Sequence, residues 1–387
     1  MLPVVLYRNH TQTAILLDLP ASIQHGQQVP YVLKSCPALL VPYPSTEPKG
    51  YKRETALNAI PIHDRAYHMS VQEDISSALI EARDYLHGRS GSWYFPRHDF
   101  ASQNASFGHS HWTEGTDHSP TLVPVILSTT EVHNKFSSLS DLYGIVICNP
   151  RQADIAIIDA DGTGDFIVPP GSVFILSTLE SGLPAFVSAS HALLASKPFD
   201  LILMDPPWSN RSVRHSGTYR TSDDQMNDPF QQAVRIMNDS LAPEGLVAIW
   251  ITNKSSIRSN VLEMLQALDL HLCEEWVWIK ITAGGQPVTK LDGVWRRPYE
   301  ILLLFRKCQQ CEDPRHRIIM AVPDLHSRKP CLKILLEELL PADYNALELF
   351  ARSLTAGWWS WGDEVLKFQH ESQWTGYENT KRRSFFS

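Results

Sequence analysis

The amino-acid sequence predicts an α/β protein organised on a layered sheet, and three observations carry that expectation. From about residue 140, apolar runs follow one another at YGIVIC, ADIAIID, FIVPP, SVFILSTL, FDLILM, LVAIWIT, EWVWIKI, EILLLFR, RIIMAV and ALELF. Most are apolar at nearly every position, the pattern of strands covered on both faces. Helix-length stretches at 228–240, 256–268 and 330–340 separate several of them, and strands alternating with helices form layered α/β sheets. The chain has 387 residues, 43% hydrophobic and 20% charged, enough for one large or two ordinary domains with a sizeable core.

Taken in order, the elements begin with a mixed, loop-rich accessory region over 1–135. TAILLDL (13–19) reads as a strand. In VQEDISSALIEARDYL (71–86), Ile75, Leu79, Ala82 and Leu86 recur at helical spacing behind a Ser70 cap, with Glu73 at the capping-box position. That face is expected to pack on the protein itself. GRSGSWYFPRHDFASQNASFGHSHW (88–112) is rich in Gly, Ser, His and aromatics and reads as loop. Residues 136–170 form a connecting hairpin segment. Within it, IAIIDADGTGDF (155–166) imitates a nucleotide-binding strand and glycine loop around Gly162 and Gly164. Such a loop should open a helix, whereas the following FIVPPGSVFIL is extended. Two strands joined by an Asp-Gly turn are expected instead. The main domain runs over 171–375, and Lys381, Arg382 and Arg383 mark a basic tail over 376–387.

Composition narrows the function classes. The formal net charge of -8 argues against a protein that coats long stretches of nucleic acid and leaves local phosphate binding. Six scattered cysteines do not make a secreted disulfide framework and suit a reducing compartment. The opening MLPVVLYRNHTQTAILLDLP lacks a basic leader and is interrupted by Arg8 and His10, so no signal peptide is expected. No run approaches the ~18–20 apolar residues of a membrane span, so a soluble, intracellular protein is expected. Cys308 and Cys311, with His316 behind them, form a single CxxC and read as a plain loop. His109, His111 and His118 lack ligand spacing, and no metal is expected.

The chemistry is expected at LILMDPPW (201–208), where a buried run meets an acid, two prolines and an indole. In an α/β sheet, ligands bind beyond the carboxyl ends of the strands, which places Asp205 on the rim. An exocyclic amine on adenine or cytosine is a poor nucleophile, because its lone pair is delocalised into the ring. Hydrogen-bond acceptors on its N–H groups favour the positive nitrogen that develops during attack. Asp205 supplies one acceptor. The carbonyl of Pro206 is expected to be free as a second, because Pro206 and Pro207 stiffen the turn. Trp208 offers a flat face for stacking, worth ~1–3 kcal/mol.

At these residues the chain resembles the DPPW-type adenine-N6 methyltransferases, relatives of the mRNA N6-adenosine enzyme. AIWITNK (248–254), EEWVWIKIT (274–282), RRPYEILLLFRK (296–307), HSRKP (326–330) and LELFARSLTAGWWSWGDEVLKFQH (347–370) agree with it. The last looks most like the branch called methyltransferase-like protein four. The resemblance covers roughly 170–370 and implies a Rossmann-like S-adenosylmethionine-dependent fold in the permuted, β-type motif order, with DPPW before the ELFAR strand. It implies methyl transfer to adenine N6, with 2′-O-methyladenosine of the U2 small nuclear RNA as substrate. DNA adenine is the first alternative, and an inactive RNA-binding scaffold the second. Carried over by position, Lys329 pairs with the cofactor carboxylate, Glu348 and Arg352 bracket its ribose, and Asp363 and Glu364 contact its adenine. Phe350 is either core or a cofactor contact. Two departures stand out. Asp363 replaces an Asn of the family, and an ionised Asp accepts but does not donate. Thr178 in LSTLE (176–180) takes the place of an acid, for which Glu180 or Asp205 would compensate.

On the substrate side, SNRSVRHSGTYR (209–220) carries Arg211, Arg214 and Arg220 with no acid and reads as a phosphate clamp, with Asn210 beside it and Tyr219 as a stacking face. Asn253, Lys254, Arg296 and Arg297 extend the patch, and Tyr299 and Glu300 fall where relatives place substrate-pocket groups. The expected partner is nucleic acid, RNA before DNA, bound by a monomer with no membrane association. A splicing-RNA substrate points to the nucleus, with cytoplasm and mitochondrion left open.

Overall fold

The computed structural model describes residues 3–87, 93–97, 122–195, 197–208, 228–307 and 313–377. They belong to two compact units, each assembled from separated stretches of chain. One takes 1–25, 35–99 and 250–334; the other takes 26–34, 100–249 and 335–387.

The second of these contains the expected α/β core. Its strands lie in the order Leu241–Ile251, Phe199–Met204, Ala346–Leu349, Trp359–Gly362, Val173–Leu176, Val146–Cys148 and Val125–Ile126. Leu241–Ile251 through Val173–Leu176 are parallel neighbours, and Val146–Cys148 turns antiparallel. FDLILM is apolar at every position but Asp200, and Leu201, Ile202 and Met204 are fully buried, as a parallel strand covered on both faces requires.

Two helices connect these strands, Leu179–Leu194 and Pro229–Ser240. Pro229–Ser240 matches the expected 228–240 stretch and opens on an Asp228 cap that accepts from the Phe230 N–H, with Pro229 at the first helical position. Leu179–Leu194 is not visible in the residue pattern, since Gly182 and Pro184 read as breakers. Packing overrides them. Phe186 stacks on Trp361 at 5.0 Å between ring centroids and on Phe199 at 6.0 Å. Each buried phenyl of this kind stabilises by about 1.5–3 kcal/mol. A Cβ on Gly182 would lie 2.3 Å from Ser177 Oγ and 2.8 Å from Trp361 Nε1, so glycine permits the helix to sit this close.

The expected hairpin is present. Ala156–Ala160 pairs antiparallel with Gly164–Val168 around Asp161, Gly162 and Thr163, and His133–Phe136 adds a parallel strand. Gly162 has φ 74°, the left-handed conformation such a turn asks of glycine. The FQH end of the long C-terminal motif is architectural: fully buried Gln369 donates to Ile167 O at 2.6 Å, accepts from Leu354 N at 3.1 Å and exchanges amide hydrogen bonds with Gln27.

The other unit orders its strands Val5–Arg8, Ala14–Leu17, Arg315–Ala321, His271–Lys280 and Tyr299–Arg306. TAILLDL is a strand over Ala14–Leu17. The long helix runs Ile62–Glu81 from a Pro61 cap, so Ser70 lies inside it and caps nothing, contrary to expectation. Its buried face is Asp64, His68, Val71, Ile75 and Ala78; Leu79 is half-buried. The helix ends at Glu81 and Arg83–His87 follows it in phase, since Leu86 N donates to Ala82 O at 3.0 Å, and Ala82 and Leu86 are buried as expected. The 256–268 stretch is a helix over Ser255–Gln266, whereas 330–340 holds only Lys333–Leu336 and a 3₁₀ turn, between Pro330 and Pro341. Among the described residues, no helix is long and apolar enough to cross a membrane.

Candidate active site

The parallel register alone gathers distant residues onto one rim. Met204 lies opposite Leu349, Leu349 opposite Trp361, and Gly362 opposite Leu176. The next residues out are therefore Asp205, Phe350, Asp363 and Ser177. They border a cleft of about 330 Å³, lined by Ser177, Thr178, Glu180, Asp205, Phe350, Arg352, Asp363 and Glu364, together with Leu179, Pro207, Pro229, Gln232 and Gly362. Asp205, Pro207, Thr178, Phe350, Arg352, Asp363 and Glu364, all singled out in the sequence, thus meet here. Ser177, Leu179, Pro229 and Gln232 were not. The Asp228-Pro229 helix start was the one signal that pointed to two of them.

Charge alternates across the cleft. Arg352 Nη1 lies 3.3 Å from Asp205 Oδ2, and Arg352 Nε donates to Glu364 Oε2 at 3.0 Å. Lys367 Nζ holds the other Glu364 oxygen at 2.7 Å. Burial pushes the Glu364 carboxyl up, but the hydrogen bonds and charges of Lys367 and then Arg352 outweigh it, holding it below the usual carboxylate range. Phe350 is half-buried and lines the cleft at φ 59°, a left-handed conformation costly for a bulky residue and typical of functional sites. Gly362 lets the neighbouring strand approach, since a Cβ there would lie 2.6 Å from Ala351 O.

Thr178 caps the Leu179–Leu194 helix, accepting from Ser181 N at 3.2 Å. Its hydroxyl does at this position what an acid also does, satisfying an orphan N–H at a helix start. The Trp361 indole fixes the loop by donating to Ser177 Oγ at 3.0 Å and Thr178 O at 3.2 Å. The cleft lining carries four carboxylates, on Glu180, Asp205, Asp363 and Glu364, against the one guanidinium of Arg352. A negative field faced by a helix N-terminus suits a small molecule that carries both cationic groups and a carboxylate, as S-adenosylmethionine does.

Two details of the DPPW turn differ from expectation. The Pro206 carbonyl is not free: Trp208 N donates to it at 2.8 Å, closing a tight turn that leaves its second lone pair as the remaining acceptor. The Trp208 ring packs on Phe230 at 4.9 Å and is not among the residues lining the cleft. Glu348 sits within its strand opposite Leu203 and Ser360, half-buried and also outside the lining.

The remaining expected residues that the structure describes belong to the other compact unit. Glu300 accepts from Lys280 Nζ at 2.6 Å and pairs with Lys329 Nζ at 3.1 Å. Burial raises its carboxyl, but Lys329 and Lys280 bring it down to about 2. Lys329 lies 5.3 Å over the Trp250 ring, and Lys280 lies 4.8 Å over Trp278. Asn253 Nδ2 donates to Tyr299 O at 2.7 Å, while its buried Oδ1 has no partner among the described residues. The Tyr299 hydroxyl meets His68 Nδ1 at 2.9 Å, so the accessory helix supports this strand. Burial raises that phenol to about 12. Lys254 is exposed at the start of the Ser255–Gln266 helix. Asn210, Arg211, Arg214, Tyr219 and Arg220, Cys308, Cys311, the three loop histidines and the basic tail lie outside the described residues. Among the described residues, no cluster of His, Cys, Asp and Glu could hold a metal, and His316 pairs with Asp74 at 3.0 Å.

A family model described as MT-A70 matches residues 199–364. An N6-methyladenosine RNA methyltransferase MTA1 of Cryphonectria parasitica is 39% identical over 246 residues, covering 61% of this chain and 69% of that protein. The protein of the same name in Pyricularia oryzae is 30% identical over 415 residues and 98% of each chain. The human N(6)-adenine-specific methyltransferase METTL4 is 35% identical over 228 residues, 55% of this chain and 46% of that one.

Proposed function

The chain belongs to the MT-A70 family and is a methyltransferase, and from that premise we propose that it methylates N6 of adenine in RNA with S-adenosylmethionine as donor. The observation that carries this reading is the meeting of Asp205, Arg352, Glu364 and the Thr178-capped helix at one cleft. Bound there, the cofactor would supply an activated methyl group on a sulfonium.

The chain's own residues do the rest. Asp205 accepts an N–H of the amine and stabilises the positive charge that grows on nitrogen. Its orientation is fixed by Arg352, which Glu364 holds from the other side. The second lone pair of the Pro206 carbonyl is the other acceptor. A base reaches such a cleft only when unpaired or flipped out. Arg352, Glu348, Asp363 and Glu364 are proposed to hold the cofactor's nucleoside, and Lys329, set by Glu300, its carboxylate. Trp208 serves as a stacking face if its ring leaves Phe230, and Asn210, Arg211, Arg214, Tyr219, Asn253, Lys254 and Tyr299 contact the polymer.

The finer proposal is 2′-O-methyladenosine of the U2 small nuclear RNA as substrate, in the nucleus, with the chain acting as a monomer. Its support is the long ELFAR-to-FQH motif, which resembles that of the methyltransferase-like protein four branch. A side-by-side methyl-transfer assay on RNA, 2′-O-methylated RNA and DNA oligonucleotides tests it. We expect turnover to rank 2′-O-methylated RNA first; DNA first would replace the substrate, and no turnover together with no measurable S-adenosylmethionine affinity would leave the scaffold reading.

A further inference from the structure

The loop over 293–297 is built in an uncommon way. Glu47, from the extended N-terminal stretch of the same compact unit, places its carboxylate against three successive backbone N–H groups. It accepts from Val294 N at 2.6 Å, Trp295 N at 3.2 Å and Arg296 N at 3.1 Å. Charge-assisted bonds to consecutive amides hold a loop far more firmly than exposed turns are usually held. Gly293 is needed for it, because a Cβ there would lie 2.1 Å from Arg296 O and 3.2 Å from Glu47 Oε1. What this scaffold presents at its tip is an indole: Trp295 is 64% exposed. Beside it Arg296 is exposed and has no ion pair among the described residues. Arg297, next along, is tied inward to Asn253 O at 3.3 Å.

An indole carried on a backbone held by three hydrogen bonds, with a cation adjacent, is a flat face on an ordered root. Bases of any identity stack on such faces, and the neighbouring guanidinium meets the phosphate that follows. The net charge of -8 leaves nucleic-acid contacts to local patches of this kind.

We propose that Trp295 and Arg296 form a docking platform for single-stranded nucleic acid, and that Glu47 is the residue that positions it. The proposal rests on the nucleic-acid reading above, and adds a polymer-binding site outside the cleft residues and a task for the N-terminal stretch. Its test is the affinity of the full chain for a fluorescent single-stranded 12-nucleotide RNA, with steady-state methyl transfer on the same RNA. Trp295→Ala is expected to weaken binding and raise KM for RNA by about fivefold or more, the low end for one lost base stack. Turnover at saturating RNA and cofactor affinity stay unchanged. Trp295→Phe keeps most of the affinity, and Glu47→Ala follows Trp295→Ala because the loop loses its anchor. Unchanged affinity and KM in Trp295→Ala, with wild-type protein active, overturns the platform alone. Full affinity in Glu47→Ala removes the positioning role. Wild-type protein that neither binds nor methylates any oligonucleotide overturns the proposed function and the platform with it.

Discussion

Two strand ends within the same compact unit look alike in one respect and behave oppositely. After Ala156–Ala160 come Asp161, Gly162, Thr163 and Gly164; after Val173–Leu176 come Ser177, Thr178, Leu179 and Glu180. The first has the acid and the glycines of a cofactor loop, yet it closes a hairpin. The second has neither glycine nor Asp, yet it opens a helix onto the cleft. The difference lies in what each strand does next. A hairpin return consumes the strand end in pairing with the strand that follows, whereas a strand followed by a helix leaves its end free, with the helix N-terminus facing the rim. Glycine content does not distinguish the two; topology does.

Paired substitutions can break this contrast, and the largest effect is expected at the acids. Asp205→Ala should lower methyl transfer by about 10²–10³-fold or more while the thermal unfolding profile stays cooperative. Asp161→Ala, on the hairpin, should leave turnover within about twofold, as exposed substitutions do. Equal losses in the two would dissolve the comparison.

The glycines come next. Gly182→Ala and Gly164→Ala each bring a Cβ within 2.6 Å of a side chain, Ser177 Oγ in one case and His370 Nε2 in the other. Each is expected to cost about 1–3 kcal/mol of stability, read by denaturant midpoint. Only Gly182→Ala should also weaken cofactor binding by calorimetry, because Ser177 and Trp361 hold Thr178 in place.

The hydroxyls are gentler probes. Thr178→Ala should cost about 1 kcal/mol of helix capping and weaken the cofactor, with Thr178→Ser restoring both. Thr163 donates to Ala160 O at 2.9 Å, and Thr163→Ala should cost a similar amount with cofactor affinity unchanged.

The smallest effect is electrostatic. Glu364 has its carboxyl held below its ordinary value of 4.5, so its contribution to stability is full above that pH and is lost as pH falls through the lowered value. It is partly exposed, so the acid-side change should be slight. Glu364→Gln should flatten the stability profile below about pH 4.5; an unaltered slope would mean that Arg352 and Lys367 do not hold the carboxylate in solution.

The contrast also explains what could be read from residues alone. FDLILM, EILLLFR and ALELF are unmistakable because burial on both faces leaves few polar positions. The hairpin was legible because extended, proline-bearing residues follow its glycines. The Leu179–Leu194 helix was not, since its stability comes from Phe186 on Trp361 and Phe199, and the first of these contacts joins segments more than a hundred residues apart in sequence. The start of the Ile62–Glu81 helix was missed for a related reason: Asp64 and His68 are polar residues on its buried face, invisible to apolar periodicity. Asp205, Arg352 and Glu364 were found by motif, but their ion-paired chain is a product of register. The Pro206 carbonyl was expected to be free because a stiff turn was pictured without the Trp208 N–H folding back on it.

The central claim is that parallel register turns four strand ends into one methyl-transfer cleft governed by the Asp205 carboxylate. The most direct measurement is nucleoside mass spectrometry of an adenosine-containing RNA after incubation with methyl-labelled S-adenosylmethionine and either wild-type chain or Asp205→Asn, with cofactor affinity measured on both. Label on adenine N6 with the wild type, and at least about 10²-fold less with a variant that still binds cofactor, is the expected result. Label on another atom, or undiminished N6 label from Asp205→Asn, would contradict it.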